Sequence, residues 1–112
     1  MASEWFFKYR RELDRGHRAR QEGNEGMARV CARRAAGELV REYFHRHNIP
    51  VSSPSALNLL KILAQATEVS PRVREIATHF VWQITTEHIL PGDVDLLAEI
   101  EWLEKELLGE DA

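Results

Sequence analysis

Residues 72–80 read Arg-Val-Arg-Glu-Ile-Ala-Thr-His-Phe and bring two arginines, a glutamate and a histidine into one short stretch. Those side chains can do chemistry together. Arginine neutralises a phosphate with a rigid fork of donors. Histidine moves a proton near neutral pH. A neighbouring carboxylate orients the imidazole and favours its charged form. On a continuous helix Arg74 and His79 diverge by about 140°, whereas Arg72 and His79 lie about 20° apart with Glu75 between them. Arg72, Arg74, Glu75 and His79 are therefore the candidate catalytic residues, with Arg72 the better geometric partner. The bland alternative is a solvated outer face on which Glu75 merely pairs with Arg72. Spacings of this order are also cheap, because Arg11 and His17, and Arg41 and His47, each have five residues between them, against six and four for Arg72 and Arg74 with His79.

Other chemistries find less support. No two histidines stand at the i, i+4 spacing of a helical metal site, and the single cysteine, Cys31, cannot build a thiolate site. No glycine-rich phosphate loop occurs, so neither metal nor cofactor is expected. His45 and His47 flank Arg46 at the end of a helical stretch, where cationic side chains complement the helix dipole. Ser52, Ser53 and Ser55 look like capping and loop residues.

The elements that must position these groups are helices. Apolar residues recur at spacings of three and four, and no alternating strand pattern is present. The spacing predicts helices over about 3–22, 25–47, 54–67, 71–86 and 94–109. Their core stripes are Phe6, Tyr9, Leu13 and Gly16; Met27, Val30, Cys31, Ala35, Leu39 and Phe44; Leu57, Leu60, Ile62 and Leu63; Val73, Ile76, Ala77, Phe80 and Ile84; and Leu96, Ile100, Leu103 and Leu107. Gly23-Asn24, Asn48-Ile49-Pro50, Ser52-Ser53-Pro54, Ser70-Pro71 and Pro91-Gly92-Asp93 supply the breaks. Ser53-Pro54 and Ser70-Pro71 each pair an N-cap hydroxyl with proline at the first helical position, and Asp93 or Asp95 can cap the last helix. Short loops favour antiparallel neighbours. The expectation is an all-α, up-down antiparallel helical bundle of four to five helices forming one domain over residues 1–112. Trp102 falls off its helix's apolar stripe, beside Asp95, Glu99 and Glu106, and is read either as an interface anchor or as a lone exposed aromatic.

Several stretches resemble one family in order along the chain. Trp5-Phe6, Tyr9, Glu12-Leu13 and Gly16 follow the W-L-x-x-A-x-x-D-L-x-x-A of the HEPN domain. The segment "CARRAAGELVRE" is similar to its A-x-Q-Q-A-A-E-K-A-L-K helix, with Arg33 and Arg34 in place of the glutamines, Gly37 in place of the usual glutamate and Arg41 in place of the later lysine. The tail "ITTEHILPGDVDLLAEIEWLEKELL" is similar to the family's Pro/Gly loop and final acidic-apolar helix, with Gln83-Ile84-Thr85-Thr86 replacing an aromatic-arginine turn. The resemblance implies a HEPN-like bundle, a homodimer, and an RNA-directed role, either RNA binding or a metal-independent ribonuclease of the toxin–antitoxin or defence type. In such enzymes an arginine and a histidine with four to six residues between them form the site, which here means Arg72 or Arg74 with His79. The alternative it implies is a non-catalytic interaction module beside a nucleotidyltransferase partner.

Charge is split unevenly. Residues 1–48 carry 11 Lys/Arg against 7 Asp/Glu, and residues 49–112 carry 4 against 11, within a net charge of −3. A basic half can face phosphates, with Arg33 and Arg34 the candidate nucleic-acid contacts, or it can pair with the acidic helices within a bundle or across a dimer. The arginines of "KYRRELDRGHRAR" can track a phosphate backbone, although Glu12 and Asp14 interleave with them. No apolar run approaches the roughly 20 residues of a membrane span. The N-terminus, "MASEWFFKYRRELD", has no signal-peptide core, and one thiol suits a reducing compartment, so a cytoplasmic protein is expected.

Overall fold

A computed structural model describes residues 3–51, 55–82 and 94–109. These form five helices, α1 (Glu4–Gln21), α2 (Glu25–Arg46), α3 (Ala56–Ala64), α4 (Pro71–Trp82) and α5 (Leu96–Leu108). No strand occurs among the described residues. Ile84, the Gln83–Thr86 turn, the Pro91-Gly92-Asp93 break and the Ser53-Pro54 cap lie outside them.

Local chemistry sets the helix ends. Gly23, with φ +80°, follows the last turn of α1, and the amides of Gly23 and Asn24 bond back to the carbonyls of Arg20 and Ala19. This satisfies carbonyls that the helix leaves unpaired. Asn24 then caps α2, its side chain accepting from the Met27 amide at 3.0 Å. One residue thus closes one helix and opens the next. The end of α2 repeats the device with Asn48 at φ 57°: the Asn48 amide bonds to His45 and the Ile49 amide to Phe44. Ser70 caps α4 through the Val73 amide with Pro71 at the first position, as the sequence implies. Asp95 caps α5 through Ala98. α3 begins later than its pattern suggests, at Ala56, with Ser55 as its cap.

All five helices feed one core. Leu13, Leu39, Phe44, Leu60, Ile76, Phe80, Ile100 and Leu103 are fully buried within it. α2 is the central helix and touches α1, α3 and α5. Its buried Ala28, Ala32, Ala35, Ala36 and Gly37 are small, which lets three neighbours approach it. Two expected core positions are exposed. Met27 (45% exposed) lies one residue off the Ala28–Ala32–Ala35–Leu39 line, and Ile62 (43%) lies one residue off buried Leu63. A one-residue offset turns a side chain by about 100°.

Polar contacts tie the helices together at both ends. The Tyr9 hydroxyl, on α1, donates to Glu104 Oε1 on α5 at 2.7 Å. Burial, reinforced by Glu104, pushes the Tyr9 phenol far above its ordinary range, so it remains a donor. At the other end Arg20 grips Glu25 with two bonds of 3.1 and 2.7 Å and reaches Asp95 at 3.1 Å. The α1–α2 turn is thereby fastened to the cap of α5. The Arg20 bond holds Glu25 below the usual carboxylate range. Burial pushes Asp95 up, but the Ala98 amide and Arg20 outweigh it and the net direction is down. Depressed carboxylates stabilise the fold above their unfolded pKa values, about 4, and lose that contribution as pH falls through the lower folded values. The residues are partly exposed, so the clamp contributes about 1 kcal/mol or less. Urea midpoints should separate wild type from Arg20→Met at pH 6, and the gap should narrow at pH 3.

Candidate functional site

The four α4 candidates point in different directions. Arg72 is exposed; its Nη1 donates to Glu75 Oε1 at 2.8 Å, and its guanidinium lies 5.9 Å from the centre of the Trp102 ring on α5. Arg74 turns the other way. Its Nη1 donates to the carbonyls of Ala66 at 3.0 Å and Val69 at 2.7 Å, closing the α3–α4 connection. Its charge serves carbonyls that follow the end of α3. The divergence of Arg74 from His79 agrees with the helical geometry. Arg72 and Glu75 form the surface pair that was the bland alternative.

His79 faces α5 and is only 7% exposed. Its Nδ1 lies 2.9 Å from Glu99 Oε1 and 3.0 Å from Oε2, so it addresses both oxygens of one carboxylate. Glu99 is nearly as buried as the histidine. The carboxylate orienting His79 is thus Glu99, twenty residues away in sequence, and Glu75 pairs with Arg72 instead. A carboxylate on one ring nitrogen fixes the imidazole's orientation, which is a geometry that proton-transfer sites use. Here Ile76 and Phe80 on α4 and Ile100 on α5 are core residues, while Arg72 bonds Glu75 and Arg74 bonds the Ala66 and Val69 carbonyls. The evident effect of the His79–Glu99 pair is to join α4 to α5.

Trp102 is half-buried against the core and lies against Arg72. The indole is therefore covered partly from within its own chain. Cation–π contacts at such exposed sites contribute about 0.5–1 kcal/mol.

A different part of the surface gathers cations. Lys8, Arg11 and Glu12 from α1, Arg34, Gly37, Glu38 and Arg41 from α2, and Ala56 from α3 line a groove of about 280 Å³. Of its two acids, Glu38 lies 3.2 Å from Arg41, whereas Glu12 reaches Arg15 only through Oε2 at 3.6 Å and its buried Oε1 has no hydrogen-bond partner among the described residues. Lys8 pairs with Glu4 at 3.3 Å. Arg11 and Arg34 make no ion pair among the described residues, so they carry the groove's excess positive charge. Arg33, beside Arg34, is half-buried; burial and the adjacent Arg34 charge push its guanidinium below its ordinary range. The groove floor exists because Gly37 has no side chain. A Cβ at that position would meet the Ala56 Cβ at 2.5 Å and its Cα at 3.1 Å. Here the backbone of α3's first residue lies directly on α2.

Arg34 had a signal in the sequence, its place in a basic helix. Arg11 had one too, but nothing in the linear order marked it as sharing a groove with Arg34. Phe7 was missed. It is 65% exposed beside the arginines of α1. Its signal was available, since it falls one residue off the Phe6–Tyr9–Leu13 stripe. Cys31 is buried, and burial, with the nearby Glu12 charge, pushes its thiol up, as suits an inert core residue. No cluster of three or more His, Cys, Asp or Glu side chains suited to a metal occurs among the described residues, and no described helix is long and apolar enough to cross a membrane. No protein-family model, curated protein or solved structure matches the chain.

Proposed function

We propose that this chain is a HEPN-like, up-down antiparallel bundle with an RNA-directed role, and that the role is binding through the basic face of α1 and α2. The observation that carries the reading is the groove in which Arg11 and Arg34 converge from two helices beside Glu12 and Glu38, neither arginine making an ion pair among the described residues. Phosphate contacts of this kind supply most of non-specific nucleic-acid affinity. The α4 residues favour binding over cleavage, because His79 is sealed against Glu99 and both arginines nearby are otherwise engaged. Antiparallel packing is supported by Arg46 lying over Trp5 while Arg20 meets Glu25, which places opposite ends of α1 and α2 together. The interaction-module reading is favoured by the same burial of His79, and it differs in needing no RNA.

A labelled 12-nucleotide RNA incubated with the protein in EDTA separates these outcomes. The expected result is saturable binding at low salt, intact RNA on a denaturing gel, and affinity that falls linearly on a log–log salt plot. Absence of binding at low salt would favour the interaction module. Metal-free cutting that disappears in His79→Gln would restore the α4 site.

A further inference from the structure

The basic surface continues past Arg11. Phe7, Arg10, Arg11, Asp14, Arg15 and Arg18 line a second, more open depression of about 460 Å³ along α1. Arg11 borders both this depression and the α1–α2 groove. Phe7, Arg11, Asp14 and Arg18 are spaced i, i+4, i+7 and i+11, which places them along one line of the helix surface. Asp14 is held by Arg10 at 3.6 Å and Arg15 by Glu12 at 3.6 Å. Arg11 and Arg18 make no ion pair among the described residues. A phenyl ring is thus exposed where the surrounding charge is positive. Trp5, Phe6 and Tyr9 pack among themselves on the other side of α1, and Phe7 joins none of those ring contacts.

We infer that Phe7 is a stacking platform for an unpaired RNA base, with Arg11 and Arg18 holding the flanking backbone. This rests on the RNA-binding reading and specifies its ligand as single-stranded. Charge complementarity selects a polyanion over an apolar partner. The ring selects a strand whose bases are free, since duplex RNA keeps its base faces stacked internally. An A-form duplex can satisfy the arginines but offers the ring nothing.

The test compares a labelled 12-nucleotide single-stranded RNA with a 12-base-pair RNA duplex on the full chain, by anisotropy at fixed low salt and across a salt series. Wild type should prefer the single strand. Phe7→Ala should weaken single-strand binding about tenfold, in the range measured for loss of one stacked base, while duplex affinity and both salt slopes stay unchanged. Phe7→Trp should restore single-strand binding. Because Phe7 is largely exposed, circular dichroism should show the variants folded. Equal binding of both RNAs, untouched by Phe7→Ala, would overturn the stacking inference and leave the RNA-binding reading standing. No binding of either RNA by wild type would overturn both.

Discussion

Replacing His79 with alanine should cost the fold about 3 kcal/mol, the upper end for leaving a largely buried acceptor without its hydrogen-bond partner. The alanine variant leaves the Glu99 carboxylate at the α4–α5 seam without the imidazole that faces both its oxygens. A buried charge without its partner is costlier than the pair is favourable. Glu99→Gln, which keeps an acceptor but removes charge, should cost less, about 1 kcal/mol. The double replacement His79→Leu with Glu99→Leu should recover most of the loss, because an apolar pair of similar volume needs no compensation. Urea unfolding measures each of these differences, and adding His79→Leu and Glu99→Leu singly beside their double completes a double-mutant cycle. A loss below about 0.5 kcal/mol for His79→Ala would mean that the pair contributes little to joining these helices. The result also governs how an RNA assay is read. An inactive His79→Ala protein can be an unfolded one, whereas the Leu/Leu protein keeps its fold and removes the imidazole.

Gly37→Glu should prevent stable folding, even though glutamate is the residue that the HEPN resemblance would put there. The first added atom already lies 2.5 Å from the Ala56 Cβ, and the remaining atoms would force a charge between α2 and α3. Overpacking plus an unpaired buried charge places the cost above about 4 kcal/mol. Gly37→Ala isolates the steric part. Alanine gains up to about 1 kcal/mol of helix propensity, which offsets part of an overpacking cost of about 1–3 kcal/mol. Adding Ala56→Gly to it should restore part of the stability, since that removes the closest contact. Thermal melts of the three variants suffice. A Gly37→Glu protein that melts like wild type would show that α3 does not lie on α2 as described.

These two sites also mark where the linear sequence stops being informative. The helices were readable because their causes are local: the Ser70-Pro71 start, the Asp95 cap, and the Gly23 and Asn48 reversals each act within a few residues. Most described positions of the core stripes were readable for the same reason, apart from the single-residue offsets at Met27 and Ile62 and the intermediate burial of Phe6, Val30 and Leu57. The partners of the candidate residues were not readable. Spacing put Glu75 beside both Arg72 and His79, but Glu99 arrives from another helix and claims the imidazole. Arg74's divergence followed from the helical period, yet its targets, the Ala66 and Val69 carbonyls, depend on how the α3–α4 connection turns. Gly37 looked like a lost glutamate and is a point of backbone contact between helices. Arg34 drew notice through its neighbours in sequence, whereas Arg11 gains its meaning only when α1 lies against α2.

The basic α1–α2 face as the RNA contact is tested most directly by the salt dependence of affinity in Arg11→Ala/Arg34→Ala beside Arg72→Ala. Each phosphate contact contributes about 0.7 to the log–log slope for a single strand, so the double variant should lose about 1.4 and bind roughly tenfold more weakly at moderate salt. Arg72→Ala should match wild type in both respects. An unchanged slope in the double variant, with a reduced slope in Arg72→Ala, would contradict the account and move the RNA to α4.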